Sequence, residues 1–306
     1  MTLIDPAALQ APTPDTAPDS TRSIPRWRMI LRRSFSTKRA WIGAIVLIGM
    51  FALAYLGPLL YPWSATDQDV AAFNEGPSLN HWFGTDTIGH DIFAQALAGL
   101  QKSLIIGLLV GPITAVIAGV VGAVAGYVGG WTDRVLVWIM DLLLVLPTLY
   151  IMILLSPSFK QFAWLALIIF LPAFSWMVLA RVIRGQTMSL RERDYVKAAR
   201  FMGVGGVTII RRHILPNVAS LLIIDATMGI GAAILAETTL SYFGFGVQAP
   251  DVSLGTLLAA GSSAAVTRPW LFVPPAALLI ATVLASSLLG DALRDAIDPT
   301  SEANRV

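Results

Sequence analysis

SLIIGLLVGPITAVIAGVVGAVAGYVGGW, residues 103–131, carries no Asp, Glu, Lys, Arg or His. A helix needs about 20 apolar residues to cross the hydrocarbon of a bilayer. This stretch exceeds that length, and a helix pairs its own backbone groups where lipid cannot. It reads as a transmembrane helix. Gly107 and Gly111, then Gly122, Gly126 and Gly130, stand four apart. Small residues at that spacing let helices approach closely, either inside one subunit or across a dimer face.

Five more windows follow the same rule. Trp41–Leu60, Gln161–Ala180 and Pro269–Gly290 are uncharged, Val135–Leu155 holds only Asp141, and Val218–Ala236 holds only Asp225. Pro112, Pro147, Pro172 and Pro274–Pro275 predict kinks. The whole chain agrees: 306 residues are 56% hydrophobic and 13% charged, with a mean hydropathy of +0.70. Soluble domains hold about 25% charged residues. There is no cysteine, which excludes a disulfide framework, a Cys zinc site and a thiol nucleophile. The formal charge of +2 gives no argument for nucleic acid, because the basic residues cluster beside the apolar windows.

Those basic residues predict an orientation. Eighteen of the 21 Lys and Arg fall before the first window, in the second and fourth loops, or after the last window. Only Lys102, Lys160 and Arg268 lie on the other side. The positive-inside rule then gives six spans with both termini cytoplasmic. Residues 1–38 are rich in proline and lack the basic-then-apolar order of a signal peptide. They read as a disordered cytoplasmic tail. The remaining expected divisions are a first transmembrane helix at 39–61, an extracytoplasmic segment at 62–101, a core at 102–292 with a cytoplasmic loop at 190–217, and a cytoplasmic tail at 293–306.

The loop contains YVKAARFMGVGGVTIIRRHILPN, residues 195–217. Asp194 is placed to cap a short helix in which Tyr195, Ala199 and Met202 share a face. Gly203, Gly205 and Gly206 end it. A second helix carries Ile209 and Ile210, and Pro216 suits the start of the fifth span. Such a unit is a basic stop beside the membrane, an amphipathic pair on anionic lipid, or a peg that docks into a cytoplasmic partner.

This segment resembles the coupling loop of permease subunits of bacterial ABC importers, whose pattern is Glu-Ala-Ala, three residues, Gly, then an Ile/Leu-x-Pro ending. The chain has Lys197-Ala198-Ala199, Gly203 and Ile214-Leu215-Pro216, with lysine where the glutamate usually stands. Other blocks are similar to the C-type permease of dipeptide and oligopeptide importers. They are HWFGTDTIGHDIFAQALAGLQKSL (81–104), GYVGGWTDRVLVWIMDLLLVLP (126–147), ILAETTLSYFGFGVQAPDVSLGTLL (234–258) and LLGDALRDAIDP (288–299). His90 stands where that family usually has arginine.

The resemblance implies an all-α type I importer permease in a bacterial plasma membrane. It implies pairing with a B-type permease, two ATPase subunits below, and an extracytoplasmic substrate-binding protein. Its cargo would be di- or oligopeptides, or a related load such as nickel chelates or haem. ATP and Mg would belong to the ATPases, since the chain has no Gly-x-x-x-x-Gly-Lys-Ser/Thr loop; it is expected to be no enzyme, with no cofactor and no metal of its own. The residues implied in ATPase coupling are Tyr195, Lys197, Ala198, Ala199, Arg200, Met202, Gly203, Ile214, Leu215 and Pro216. Rival readings are an ion-driven secondary transporter and a membrane scaffold that moves nothing.

Ionisable groups at membrane depth are costly and mark pathways or internal pairs. Asp141, Asp225 and Glu237 are therefore candidates for the translocation path, with Asp225 or Asp141 meeting a peptide amine. The structural alternatives are a hydrogen-bond node for Asp141 and an outer-loop anchor for Glu237. Gly84, Thr85, Asp86, Gly89, His90 and Asp91 are candidates for docking the binding protein, against plain loop packing or, for Asp86, His90 and Asp91, a metal cluster.

Overall fold

A computed structural model describes residues 37–297. Of the expected tail at 1–38 only residues 37 and 38 are described; of that at 293–306, residues 293–297 continue the last helix and the rest lie outside the described residues. Among the described residues the chain is helical, and its only β-type pairings are isolated bridges Gln68–His90 and Thr85–Asp91.

Helix α1 is Lys38–Leu60. A non-helical cap leads from it to α2, Ile92–Val128. Then come α3, Gly130–Val145, and α4, Thr148–Leu155. A 3-10 turn joins α4 to α5, Ala163–Ala173, and α6 is Met177–Arg191. The basic loop folds as α7, Asp194–Phe201, and α8, Gly206–Ile209. A π turn at Ile210–Ile214 runs into α9, Leu215–Tyr242. The chain closes with α10, Leu254–Ser262, and α11, Val273–Ile297. Among the described residues five helical stretches are long and apolar enough to span a membrane, six when the pair α3–α4, bent by 77°, is counted as one broken span.

Helix α2 is the centre, and its glycines explain why. A Cβ on Gly107 or Gly111 would meet backbone oxygens of Ile230 or Ala226 on α9. A Cβ on Gly122 or Gly126 would meet those of Ala180 or Arg184 on α6. The glycine spacing thus serves packing inside the subunit, with α9 on one length of α2 and α6 on another. At 37 residues, α2 is about 55 Å long, well beyond the hydrocarbon thickness of about 30 Å. Its start lies ten residues inside the expected 62–101 segment, because Asp91 caps the helix by accepting from the Ala94 N–H at 2.7 Å.

The prolines divide by position. Pro147 sits at the break between α3 and α4, as expected. Pro172 lies in the last turn of α5, just before the chain breaks and restarts as α6. Pro112 stays inside an unbroken α2. Pro274 and Pro275 kink nothing: they lie in the first turn of α11, where the missing N–H has no helical partner to lose.

Candidate functional site

The loop element begins where α6 ends. Asp194 does not cap α7. Arg193 holds the N-cap position with extended backbone and no side-chain cap bond. Asp194 is instead the first helical residue, where its carboxylate faces the positive end of the helix. The end of α7 matches the expectation for glycine. Gly203 adopts φ +78, its N–H reaches the Arg200 carbonyl at 3.0 Å, and the Val204 N–H reaches that of Ala199 at 3.1 Å. This paired closure needs a residue at positive φ, which glycine supplies cheaply.

The helix phase differs from the sequence reading. Val196 and Ala199 are buried, and they pack with Ala123 of α2, Ile183 of α6, and Ile209, Ile214 and Val218. Ala199 and Ile214 therefore hold the element to the bundle and offer no surface to a partner. Tyr195, Lys197, Ala198, Arg200, Met202, Gly203 and Pro216 are exposed, and Leu215 is half-buried. Phe201, 91% exposed, and Val207, 81% exposed, join Met202 at 76% in an apolar outer face. Helical spacing alone marks neither Phe201 nor Val207; the usable signal is an aromatic residue two positions before Gly203. On the flank, the Lys197 ammonium meets Glu192 at 3.2 Å and holds that carboxyl below its ordinary range.

The three acidic path candidates separate. Asp141 of α3 is exposed and ion-paired with Arg181 of α6. One turn further along α6, Arg184 grips Asp133 of α3 with two bonds of 2.5 and 2.6 Å. Asp225 lies half-buried near the middle of α9 with no hydrogen-bond or ion-pair partner among the described residues. Glu237 has no exposed surface. It accepts from the hydroxyls of Ser103 on α2 at 3.0 Å and Ser241 at 2.7 Å. Glu237 is therefore a buried tie between α2 and α9 with no surface of its own in this conformation.

The cap is also turned inward. Asp91 is fully buried and accepts from the Tyr61 hydroxyl at 2.7 Å and from His81 Nδ1 at 2.8 Å. Burial and the Asp91 carboxylate push the Tyr61 phenol up. Asp69 approaches the other His81 nitrogen at 3.4 Å. Asp86 instead pairs with His90 at 3.0 Å, so Asp86, His90 and Asp91 divide between two clusters. Thr85 is buried and accepts from the Glu75 N–H at 2.9 Å. Gly84 and Gly89 have φ of +73 and +87, and a Cβ on either would strike a backbone oxygen, that of Glu75 or Asp69. Gly84, Thr85, Gly89 and Asp91 build the cap and present no docking surface; Asp86 and His90 are partly exposed. His81 stands at the centre of the cluster, between Asp91 and Asp69, and nothing in the 81–104 stretch marks it for that role.

With this geometry in hand, residues 115–302 match the family described as the inner membrane component of binding-protein-dependent transport systems. Residues 25–77 match the N-terminal transmembrane domain of oligopeptide transport permease C. The chain belongs to this permease family. Among its relatives is the oligopeptide transport system permease protein OppC of Mycobacterium tuberculosis, 46% identical over 92% of this chain and 97% of the relative. A putative peptide permease protein of Brucella suis is 37% identical over 88% and 90%. The OppC of Bacillus subtilis is 32% identical over 97% and 96%. The permease is thus a multi-pass membrane protein whose helices follow the order expected from its sequence.

Proposed function

We propose that this permease forms one half of the translocation pathway of an ATP-driven peptide importer in a bacterial plasma membrane. Its termini and loop element face the cytoplasm, where most of the basic residues would lie. A homologous permease supplies the other half, two ATPase subunits dock below, and a binding protein delivers cargo from outside. ATP and Mg act in the ATPases. The printed names of the relatives support peptides as cargo; nickel chelates and haem are the alternative loads.

The observation that carries this reading is the two-sided loop element. Its outer face exposes Tyr195, Phe201, Met202 and Val207, while its inner face is packed onto α2, α6 and α9. A surface apolar patch set in basic flanks suits a groove on a cytoplasmic partner. A push on that face reaches three spans at once, because the packing beneath it is apolar and close. Asp225, unpaired at membrane depth, is the carboxylate placed to meet a peptide ammonium.

The test is co-purification in detergent followed by ATP-driven uptake in vesicles loaded with the whole transporter. Phe201→Asp is expected to lose the ATPases and uptake while retaining the second permease. An ATPase complement equal to wild type in that variant would overturn docking at this face. Uptake by wild type that ignores ATP and collapses with an uncoupler would overturn the importer reading itself.

A further inference from the structure

Helix α3 differs from every span around it in how it is held. Of its sixteen residues only Met140 is buried. Trp131, Val135, Trp138, Leu142 and Val145 recur four and three apart, and all are exposed. Both ends are jointed. Gly129 caps it and Gly130 opens it, at φ of +69 and +60, and Gly130 has no neighbour within reach of a Cβ. Beyond its last residue the chain turns 77° into α4.

Its neighbour α6 is fixed. Gly122 and Gly126 bring α2 into backbone contact with α6. The Arg191 guanidinium donates to the carbonyls of Gly126 and Tyr127, each at 3.3 Å. Helix α6 then leads through Glu192 and Arg193 into the loop element.

Two things join the jointed helix to the fixed one: a small apolar cluster in which Met140 meets Met177 and Ala180 with Leu136 and Leu143 packed beside it, and charge. Asp133 pairs with Arg184 and Asp141 with Arg181, in antiparallel order along the seam. The second pair is open, with side chains 57% and 44% exposed. Charges left open at membrane depth face water or protein, never lipid chains. The open pair therefore faces water or another protein. Apolar interdigitation fixes one arrangement, whereas an ion pair beside water separates at small cost, since water solvates both released charges.

We propose that these two ion pairs are a latch, closed in the conformation seen here and opened when the ATPases drive the loop element. Asp133, Asp141, Arg181 and Arg184 are then gating residues: α3 swings on its glycine and proline joints while the block of α2, α6 and the loop element moves as one. The proposal rests on the importer reading above.

Two measurements on the reconstituted transporter test it. The chain has no cysteine, so Leu142→Cys with Val178→Cys places one thiol on each side of the seam and leaves the latch intact. A short bismaleimide is expected to link them with yields that differ about fivefold between the nucleotide-free and ATP-trapped states. Next, Asp133→Asn is expected to raise ATP hydrolysis without binding protein and to lower peptide moved per ATP. The swap Asp133→Arg with Arg184→Asp should restore both. A merely structural pair would reduce the amount of assembled complex and leave peptide per ATP unchanged. Equal linking in both states, or unchanged coupling in Asp133→Asn, overturns the latch. Wild-type vesicles that show no ATP-driven uptake sink the importer reading instead.

Discussion

The cap at residues 61–91 and the loop element at 192–214 are both short, glycine-marked connections between spans. Beneath the surface they are built from opposite materials. The cap closes around Asp91, His81 and Tyr61 with hydrogen bonds of 2.7 and 2.8 Å. The loop element closes around Val196, Ala199, Ile209 and Ile214 with no polar group at its centre. A hydrogen-bonded core demands one geometry and penalises loss of any member. An apolar core tolerates change better, provided volume is kept. The cap is thus suited to holding a shape, and the loop element to being pushed while staying in one piece.

The largest effect that would sharpen this contrast is Asp91→Ala. It strips the acceptor from the Tyr61 hydroxyl, His81 Nδ1 and the Ala94 N–H. The expected loss is about 3 kcal/mol or more, read as a lower thermal unfolding midpoint in detergent. A midpoint within error of wild type would show that the cap does not depend on its polar centre. Next come two glycines. Gly89→Ala combines positive φ with a clash against the Asp69 carbonyl, and should cost about 3 kcal/mol. Gly203→Ala meets the same φ penalty in open space, and should cost about 1 kcal/mol. Equal losses at both positions would break the contrast between a tight cap and an open hinge.

The smallest expected effect is pH-dependent. The Lys197 ammonium lowers the folded-state titration of Glu192. Stability from that pair is present above the carboxyl's ordinary value of 4.5 and is lost as the pH falls through the lowered value. Glu192→Gln should flatten that slope in detergent melts and leave the midpoint at neutral pH nearly unchanged. A large shift at neutral pH would give the pair a structural weight that its exposure does not support.

The spans were legible because they need only length and a lack of charge. The break at Pro147 was legible because a proline beyond the first turn removes a helical donor, but the same rule failed at Pro112, which stays inside an unbroken α2. The start of α2 was not, since Lys102 interrupts the uncharged run although the helix already begins at Ile92. The outer-facing side of α7 was also hidden. Alanine carries no sign of the side it faces, and Val196 fixed the phase by being buried. Asp91 looked like a surface ligand because sequence shows neither its partner His81, ten residues back, nor Tyr61, thirty back. Asp141 and Asp225 looked alike, as single acids in apolar runs. Only the fold shows that one has Arg181 beside it and the other has no hydrogen-bond or ion-pair partner among the described residues.

The buried tie between Ser103 and Glu237 joins residues 134 positions apart, and that gap is also an order in time. Synthesis runs from the N-terminus, so the span carrying Ser103 enters the bilayer well before Glu237 leaves the ribosome. The carboxylate then arrives to a hydroxyl already in place, and Ser241 follows four residues later to complete the pair. A chain that fails to keep α2 nearby leaves the Glu237 carboxyl without its Ser103 donor in apolar surroundings, which is costly.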